Sequence, residues 1–236
     1  MLDEIGTLDV AFGGGEPTLY RGLTDLCHRI WNETHLGVSI TTHGHHLTPQ
    51  FVDQLVGGIS VIRLSIDAPE PIYSRIRGRS LEHLARHVGY LRTRIPFGIN
   101  VVVNALTLPY LDEMLSLVAN WGACDLLLLP EVHPSGFVLK PKEWKALEGW
   151  INRRWQEFPM QLTSSARQFL DCPFLAQEDE GLGYVHIGAD SRLRLSSYGR
   201  GGIPISDGDS LRGAVAQIRV APGAKAVGRQ QLPESV

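Results

Sequence analysis

Cysteine is scarce in this chain: Cys27, Cys124 and Cys172 are the only three in 236 residues, far apart and odd in number. That excludes a disulfide framework and fits a reducing compartment. An excess of either charge is lacking too. Lys and Arg number 22 against 25 Asp and Glu, a net charge of −3, so no basic surface for nucleic acid is expected. No apolar run approaches the roughly 20 residues that span a bilayer. "MLDEIGTLD" carries acids where a signal peptide has its basic region. Internal repeats and low-complexity tracts are absent. The expectation is a cytoplasmic globular protein without nucleic-acid or membrane partners. Its 43% hydrophobic content is enough for one large domain, or one domain with a small appendage.

What is present is an alternation. "LDVAF" (Leu8–Phe12), "GVSITT" (Gly37–Thr42), "SVIRLSID" (Ser60–Asp67), "FGINVVVN" (Phe97–Asn104) and "DLLLLP" (Asp125–Pro130) read as strands. Their nearly uniform apolar character is that of strands buried on both faces. Helical patterns lie between them at Leu19–Glu33, Pro49–Val56, Leu81–Arg94 and Tyr110–Trp121. Leu111, Met114, Leu115 and Val118 keep the spacing of one buried helix face, and Thr48-Pro49 is a helix-start signal. Repeated strand–helix units predict a parallel sheet, open or curled towards a barrel. After Pro130 the rhythm changes. A helix over Pro141–Phe158 packs Trp144, Leu147, Trp150 and Ile151 on one side, and a hairpin turns at Gly188–Arg192. A further helix starts at a cap on Asp209 or Ser210. The last residues, 223–236, read as a disordered tail.

In parallel βα folds ligands sit where the strands end. Here those ends read Gly13-Gly14-Gly15-Glu16-Pro17, Thr41-Thr42-His43-Gly44, Ser65-Ile66-Asp67, Asn100 with Asn104, and Pro130-Glu131-Val132-His133. They predict a cup of hydroxyls, amides and bare backbone, suited to a polar small molecule with an amino acid or ribose portion. Three glycines at the end of a buried strand weaken it, so either a ligand approaches the backbone or an unusual φ is required.

The same residues carry a resemblance. "FGGGEPTLY" resembles the Gly-Gly-Glu-Pro motif of the radical S-adenosylmethionine (SAM) superfamily. "ITTHG", "RLSIDAPEPIYSRIRG" and "INVVVN" resemble its third-, fourth- and fifth-strand segments, in that order. The likeness covers residues 1–136. It implies an α/β fold: a partial (β/α)6 TIM-like barrel missing its first strand, over residues 1–140. It also implies reductive cleavage of SAM to a 5′-deoxyadenosyl radical, with a peptide or natural-product precursor as substrate and an electron donor as partner. The backbone of Gly14 and Gly15, with Glu16, would hold the SAM ammonium group. Pro17 would turn the chain away, and Thr42, Ser65 and Asn100 would face the ribose and carboxylate. Residues 141–222 resemble a degenerate SPASM/twitch-like auxiliary segment, a small α+β extension.

One departure bears on activity. The family holds a [4Fe–4S] cluster on a Cys-x3-Cys-x2-Cys loop after its first strand, and thiolates are the usual cluster ligands. No such motif occurs here. The three cysteines read as small packed residues, and Leu195–Gly199, where auxiliary-domain cysteines would stand, has none. The expectation is a shortened, inactive form of a radical SAM enzyme, with no catalytic or metal-binding residue assigned. The alternative is a non-catalytic accessory protein that binds a peptide or nucleotide in the glycine-lined cup. A phosphate site at the glycines is disfavoured, because Glu16 would repel it and no lysine follows.

Other constellations are weaker. His43, His45 and His46 cluster in "HGHH", but adjacent histidines seldom converge on one ion without a carboxylate or cysteine partner. His83 and His87, four apart, read as a solvated helix face. The acids of "CPFLAQEDEG" lack calcium-loop spacing, and no base is placed beside Ser196-Ser197.

Overall fold

The computed structural model describes residues 2, 6–133, 136–167, 169–172, 185–194 and 201–220. They fall into two compact units, Leu2–Ala166 and a second that starts at Arg167. The first contains strands β1 (Asp9–Phe12), β2 (Gly37–Thr42), β3 (Val61–Ser65), β4 (Phe97–Val103), β5 (Leu126–Pro130), the short pair β6 (Val132–His133) and β7 (Gly136–Phe137), and β8 (Met160–Leu162). Between them run α1 (Leu23–Glu33), α2 (Pro49–Leu55), α3 (Ile72–Arg77), α4 (Leu81–Leu91), α5 (Leu111–Trp121) and α6 (Pro141–Arg154), and α7 (Ser164–Arg167) begins at the unit's end.

Six strands form one sheet in the order β1-β2-β3-β4-β5-β8, every neighbouring pair parallel. A sheet that adds each strand beside the last repeats the same right-handed crossover, so its helices gather on one face and the sheet curls. The result is a half-barrel. The five runs read as strands in the sequence are β1 to β5. The sixth, β8, was not among them, and neither was the short helix α3. Three residues, Met160, Gln161 and Leu162, are too few to show a period. Thr48 caps α2 as expected, its Oγ1 accepting from Phe51 N at 3.3 Å.

Register separates the two faces of the sheet. Ile40, Ile62, Leu64, Ile99, Val101, Leu126 and Leu128 are at most 1% exposed and lie under the helices. The alternate positions face the concave side, whose lower part is charged rather than apolar. Arg63 on β3 makes a two-pronged ion pair with Asp125 at 2.9 and 3.2 Å. Its Nε donates to Asn100 Oδ1 at 2.6 Å, and Gln161 Nε2 donates to Asp125 at 2.9 Å. Gly98, opposite Arg63 in the register, makes room for this: a β-carbon there would stand 2.1 Å from Asp125 Oδ1 and 3.1 Å from Arg63 Nη1. α6 closes against α5, with Trp144, Leu147, Trp150 and Ile151 buried as the sequence predicts. Trp150 Nε1 donates to Asp112 at 2.9 Å.

The second unit holds β9 (His186–Ile187), β10 (Arg192–Arg194), β11 (Ile203–Pro204) and α8 (Gly208–Val220). β10 lies between β9 and β11, antiparallel to both. The β9–β10 hairpin turns where expected, closed by Gly188 N–H on Arg192 O at 3.1 Å. Helix α8 is capped by Asp207, whose Oδ1 accepts from Ser210 N at 2.9 Å. Asp207 was not one of the two expected caps. The stretch Leu195–Gly199, the acids of "CPFLAQEDEG" and the tail 223–236 lie outside the described residues. Among the described helices none is long and apolar enough to cross a membrane.

Gly98→Ala is expected to overpack the Arg63–Asp125 pair and cost about 1–3 kcal/mol of stability. Chemical unfolding of the two proteins side by side measures it. Equal stability would mean that the ion pair yields freely and does not constrain the concave face.

Candidate functional site

The strand ends meet at one rim of the half-barrel, and β1 delivers the glycine loop there. A β-carbon at Gly13, Gly14 or Gly15 would meet nothing within 4 Å, so the loop borders open space. Gly14 has φ +98°, a conformation that L-residues with side chains rarely adopt. At Gly14 the requirement is therefore conformational, and at Gly13 and Gly15 the missing side chain leaves the backbone accessible.

Glu16 turns away from that space. Its Oε1 accepts from Thr42 Oγ1 at 2.6 Å, Thr18 Oγ1 at 2.5 Å and Thr18 N at 3.1 Å. Its Oε2 accepts from His43 N at 2.9 Å and lies 3.3 Å from His43 Nε2. The side chain is only 8% exposed. Burial pushes its pKa up, but the hydrogen bonds from Thr18, Thr42 and the His43 N–H outweigh this and hold it below the usual carboxylate value. Glu16 thus fastens the loop after β1 to the end of β2. Pro17 follows as the buried first residue of a 3-10 turn, Pro17–Leu19.

The other expected ligand residues divide. Thr42 pairs in register with Leu64 and shares its helix-covered face, 2% exposed. Its hydroxyl donates to Glu16 and accepts from Gly44 N at 3.0 Å. Thr42 therefore holds the rim together rather than lining the cup. Thr41, its half-buried neighbour opposite Arg63, is the threonine on the concave face. Ser65 and Asn100 are register partners on that face. Ser65 is half-buried, and Asn100 is 7% exposed with its Oδ1 held by Arg63. That bond leaves the Asn100 amide nitrogen to face elsewhere. Higher on the rim, Asn104 Nδ2 donates to Glu131 Oε2 at 2.7 Å. Asp67, 4% exposed, takes Val102 N at 3.2 Å and Arg77 Nη2 at 2.5 Å. It fixes the chain after β3.

Five histidines assemble behind the rim. His43 packs against His45 and His46 with ring centroids 5.3 and 5.0 Å apart. His45 stacks on His83, and His83 meets His87. The pair on α4 is thus drawn to the β2 loop, not merely solvated: His87 Nδ1 lies 3.2 Å from Gly44 O. Burial, with neighbouring imidazoles and Arg79, pulls the His45 pKa down to about 4. Burial likewise lowers His43, although the Glu16 charge opposes it.

The three cysteines do not fit a cluster. Cys27 is fully buried in α1, and desolvation pushes its thiol up to about 11. Cys124 is exposed just before β5, at the opposite end of the strands from the rim, with its Sγ donating to Phe97 O at 3.0 Å. Partial desolvation of its sulfur, with the neighbouring Asp125 charge, raises its pKa as well. Cys172 lies in the other compact unit. These residues therefore do not form a ligand set for an iron–sulfur cluster. The open glycine loop, flanked by Thr41, Ser65 and Asn100, instead offers backbone, hydroxyl and amide groups to a polar ligand.

Thr42→Val is expected to cost about 1–3 kcal/mol, because it leaves Gly44 N–H without its acceptor and Glu16 short of a donor. Urea unfolding measures it, and a cost under about 0.5 kcal/mol would contradict this bridging role.

The chain matches the family model described as the radical SAM superfamily over residues 1–119. It is 30% identical over 149 residues to mycofactocin maturase MftC of Mycolicibacterium smegmatis, which covers 58% of this chain and 36% of that protein. It therefore spans about a third of that relative's length. Among solved structures, Streptococcus suis SuiB bound to S-adenosylmethionine superposes with a TM-score of 0.69 at 16% identity, over 94% of this chain and 56% of SuiB. Native anSMEcpe with bound AdoMet and a Cp18Cys peptide gives 0.68 at 15% identity, over 93% of this chain and 69% of that one. At such identities the structures speak for the fold alone, a partial TIM-like barrel. The family match extends over half the sequence, from residue 1 into α5, and on that ground the chain belongs to the radical SAM superfamily.

Proposed function

We propose that this chain is the SAM-binding half-barrel of a radical SAM enzyme that modifies a peptide, with cluster ligands supplied by residues outside this sequence. The observation that carries it is the open glycine loop beside a polar concave face, in a chain of this family. Family membership implies SAM and a [4Fe–4S] cluster as cofactors. The peptide substrate is supported by relatives: MftC is named a maturase, and SuiB has been seen with its precursor peptide SuiA.

In this reading the backbone of Gly14 and Gly15 accepts from the SAM ammonium group. Glu16 and Pro17 position that backbone. Ser65, Asn100 and Thr41 meet the hydroxyls and carboxylate, with Asn100 oriented by Arg63. SAM, when bound, supplies the sulfonium centre of the family's hydrogen-abstraction chemistry. Residues 1–140 form the SAM-binding part and 141–222 an auxiliary-like segment that docks the substrate, with an electron donor serving the active form. The three free cysteines support a cytoplasmic setting.

A second reading is favoured by one observation, the poor fit of those cysteines to any cluster. In it the chain is a non-catalytic accessory protein that binds a peptide or nucleotide in the same cup.

Equilibrium dialysis with labelled SAM and the chelator-treated full chain tests the first reading. Saturable binding is expected, weakened about 3- to 30-fold in Ser65→Ala and Asn100→Ala through loss of one hydrogen bond each. No binding of SAM would reject the first reading, and saturable binding of a peptide or nucleotide alone would establish the second.

A further inference from the structure

Among the described residues, one group brings three metal-ligating side chains together. The ligand atoms of Glu16, His43 and His46 all lie within 4.8 Å of one another. We propose that these three residues bind a single divalent late first-row metal ion, zinc by preference, at the rim between the loops after β1 and β2. The carboxylate partner that the "HGHH" motif lacks in sequence comes from the glycine loop.

The donor set is two imidazoles and one carboxylate, which zinc takes at about 2.0–2.2 Å with one position left for water or a ligand. In a tetrahedron of such bonds the donors stand about 3.3 Å apart, and Glu16 Oε2 and His43 Nε2 already lie 3.3 Å apart. The Glu16 side chain is buried at 8% exposure and that of His43 is 26% exposed, while His46 is half-buried as a residue. That is dry enough to favour the ion and open enough to admit it.

The neighbours of His46 fix its tautomer. The single Thr18 hydroxyl proton goes to Glu16 Oε1, so the 3.0 Å contact between Thr18 Oγ1 and His46 Nδ1 is an N–H donated by the histidine. That tautomer leaves the His46 Nε2 lone pair free, and a fixed second ring nitrogen is how metal-bound histidines are usually oriented. His43 must change. Its Nδ1 now accepts from His45 N at 3.1 Å, so Nε2 carries the ring proton towards Glu16. The metal ion replaces that proton, which moves to Nδ1, and the bond from His45 N is given up.

Gly44 makes the convergence possible. It turns the chain with φ +78° and packs so tightly that a β-carbon would meet Leu84 at 2.6 Å and Leu64 at 3.0 Å. The remaining histidines are engaged elsewhere. His45 Nε2 contacts Tyr73 Oη at 2.9 Å, His87 contacts Gly44 O, and His83 lies 3.2 Å from the Arg86 guanidinium. Of the arginines near His43, Arg77 is neutralised by Asp67. Arg79 opposes the ion, against the Glu16 charge.

The test uses the metal-stripped full chain and zinc alone, in competition with a chromophoric chelator, so it is independent of SAM binding. One zinc per chain is expected. His46→Gln is expected to weaken it about 10-fold or more while melting like the wild type in chelator, and His83→Gln to leave it unchanged. On the wild type itself, zinc is expected to protect His46 from acylation by diethyl pyrocarbonate and leave His83 reactive. Equal zinc affinity in the wild type and His46→Gln would overturn the proposal, as would protection of His83 in place of His46.

Discussion

The rim of this half-barrel depends on one buried carboxylate. Glu16 leaves water at the end of β1 and receives two hydroxyls and two backbone N–H groups in return. Hydrogen bonds to a charged group contribute about 1.5–3 kcal/mol each, enough in sum to offset the desolvation of one carboxylate. The bonds run sideways, from the β1 loop to Thr18 and to the end of β2. They hold Gly13–Gly15 at the mouth of the sheet without filling it. The side chain that a reading of the motif assigns to the cofactor is thus spent on the loop's position, and the backbone remains for the ligand.

A second polar feature sets the depth of the cup. Arg63, Asp125, Asn100 and Gln161 tie β3, β4, β5 and β8 together across the concave face. A partly buried charged pair is costly unless its remaining donors and acceptors are met, and here Asn100 and Gln161 each take one. Gly98 removes the one β-carbon that would stand in the way. These side chains occupy the lower part of the concave face, and Ser65 and Asn100 stand in register nearer the strand ends.

Much of this was legible in the sequence. Strands β1 to β5 announce themselves as short, largely apolar runs, and α5 by its 3.6-residue stripe. Uniformly apolar strands, however, do not reveal which face is which. "GVSITT" ends in two threonines, and only the pairing of Thr42 with Leu64 shows that Thr42 lies under the helices and Thr41 in the cup. β8 escaped because it has three residues with a glutamine at the centre, whose role depends on an aspartate 36 residues earlier. The histidines escaped for a related reason. The partner that makes "HGHH" a donor set is Glu16, 27 residues before His43, and no local spacing links them.

The same carboxylate can serve a metal ion and leave the cup intact, because its two oxygens face different ways. Oε1 is saturated by Thr18 and Thr42, whereas Oε2 holds one backbone N–H and one exchangeable ring proton. Replacing that proton with a cation changes the charge behind the rim but none of the bonds that position Gly14 and Gly15. An ammonium group in the cup would meet backbone carbonyls, and a metal ion would meet imidazoles. These two donor types select different cations: carbonyl oxygens suit a hard ammonium, and imidazole suits zinc and its neighbours. The two ligands would stand apart because Glu16 turns away from the cup, with its Oε1 held by Thr42 on the helix-covered face of β2.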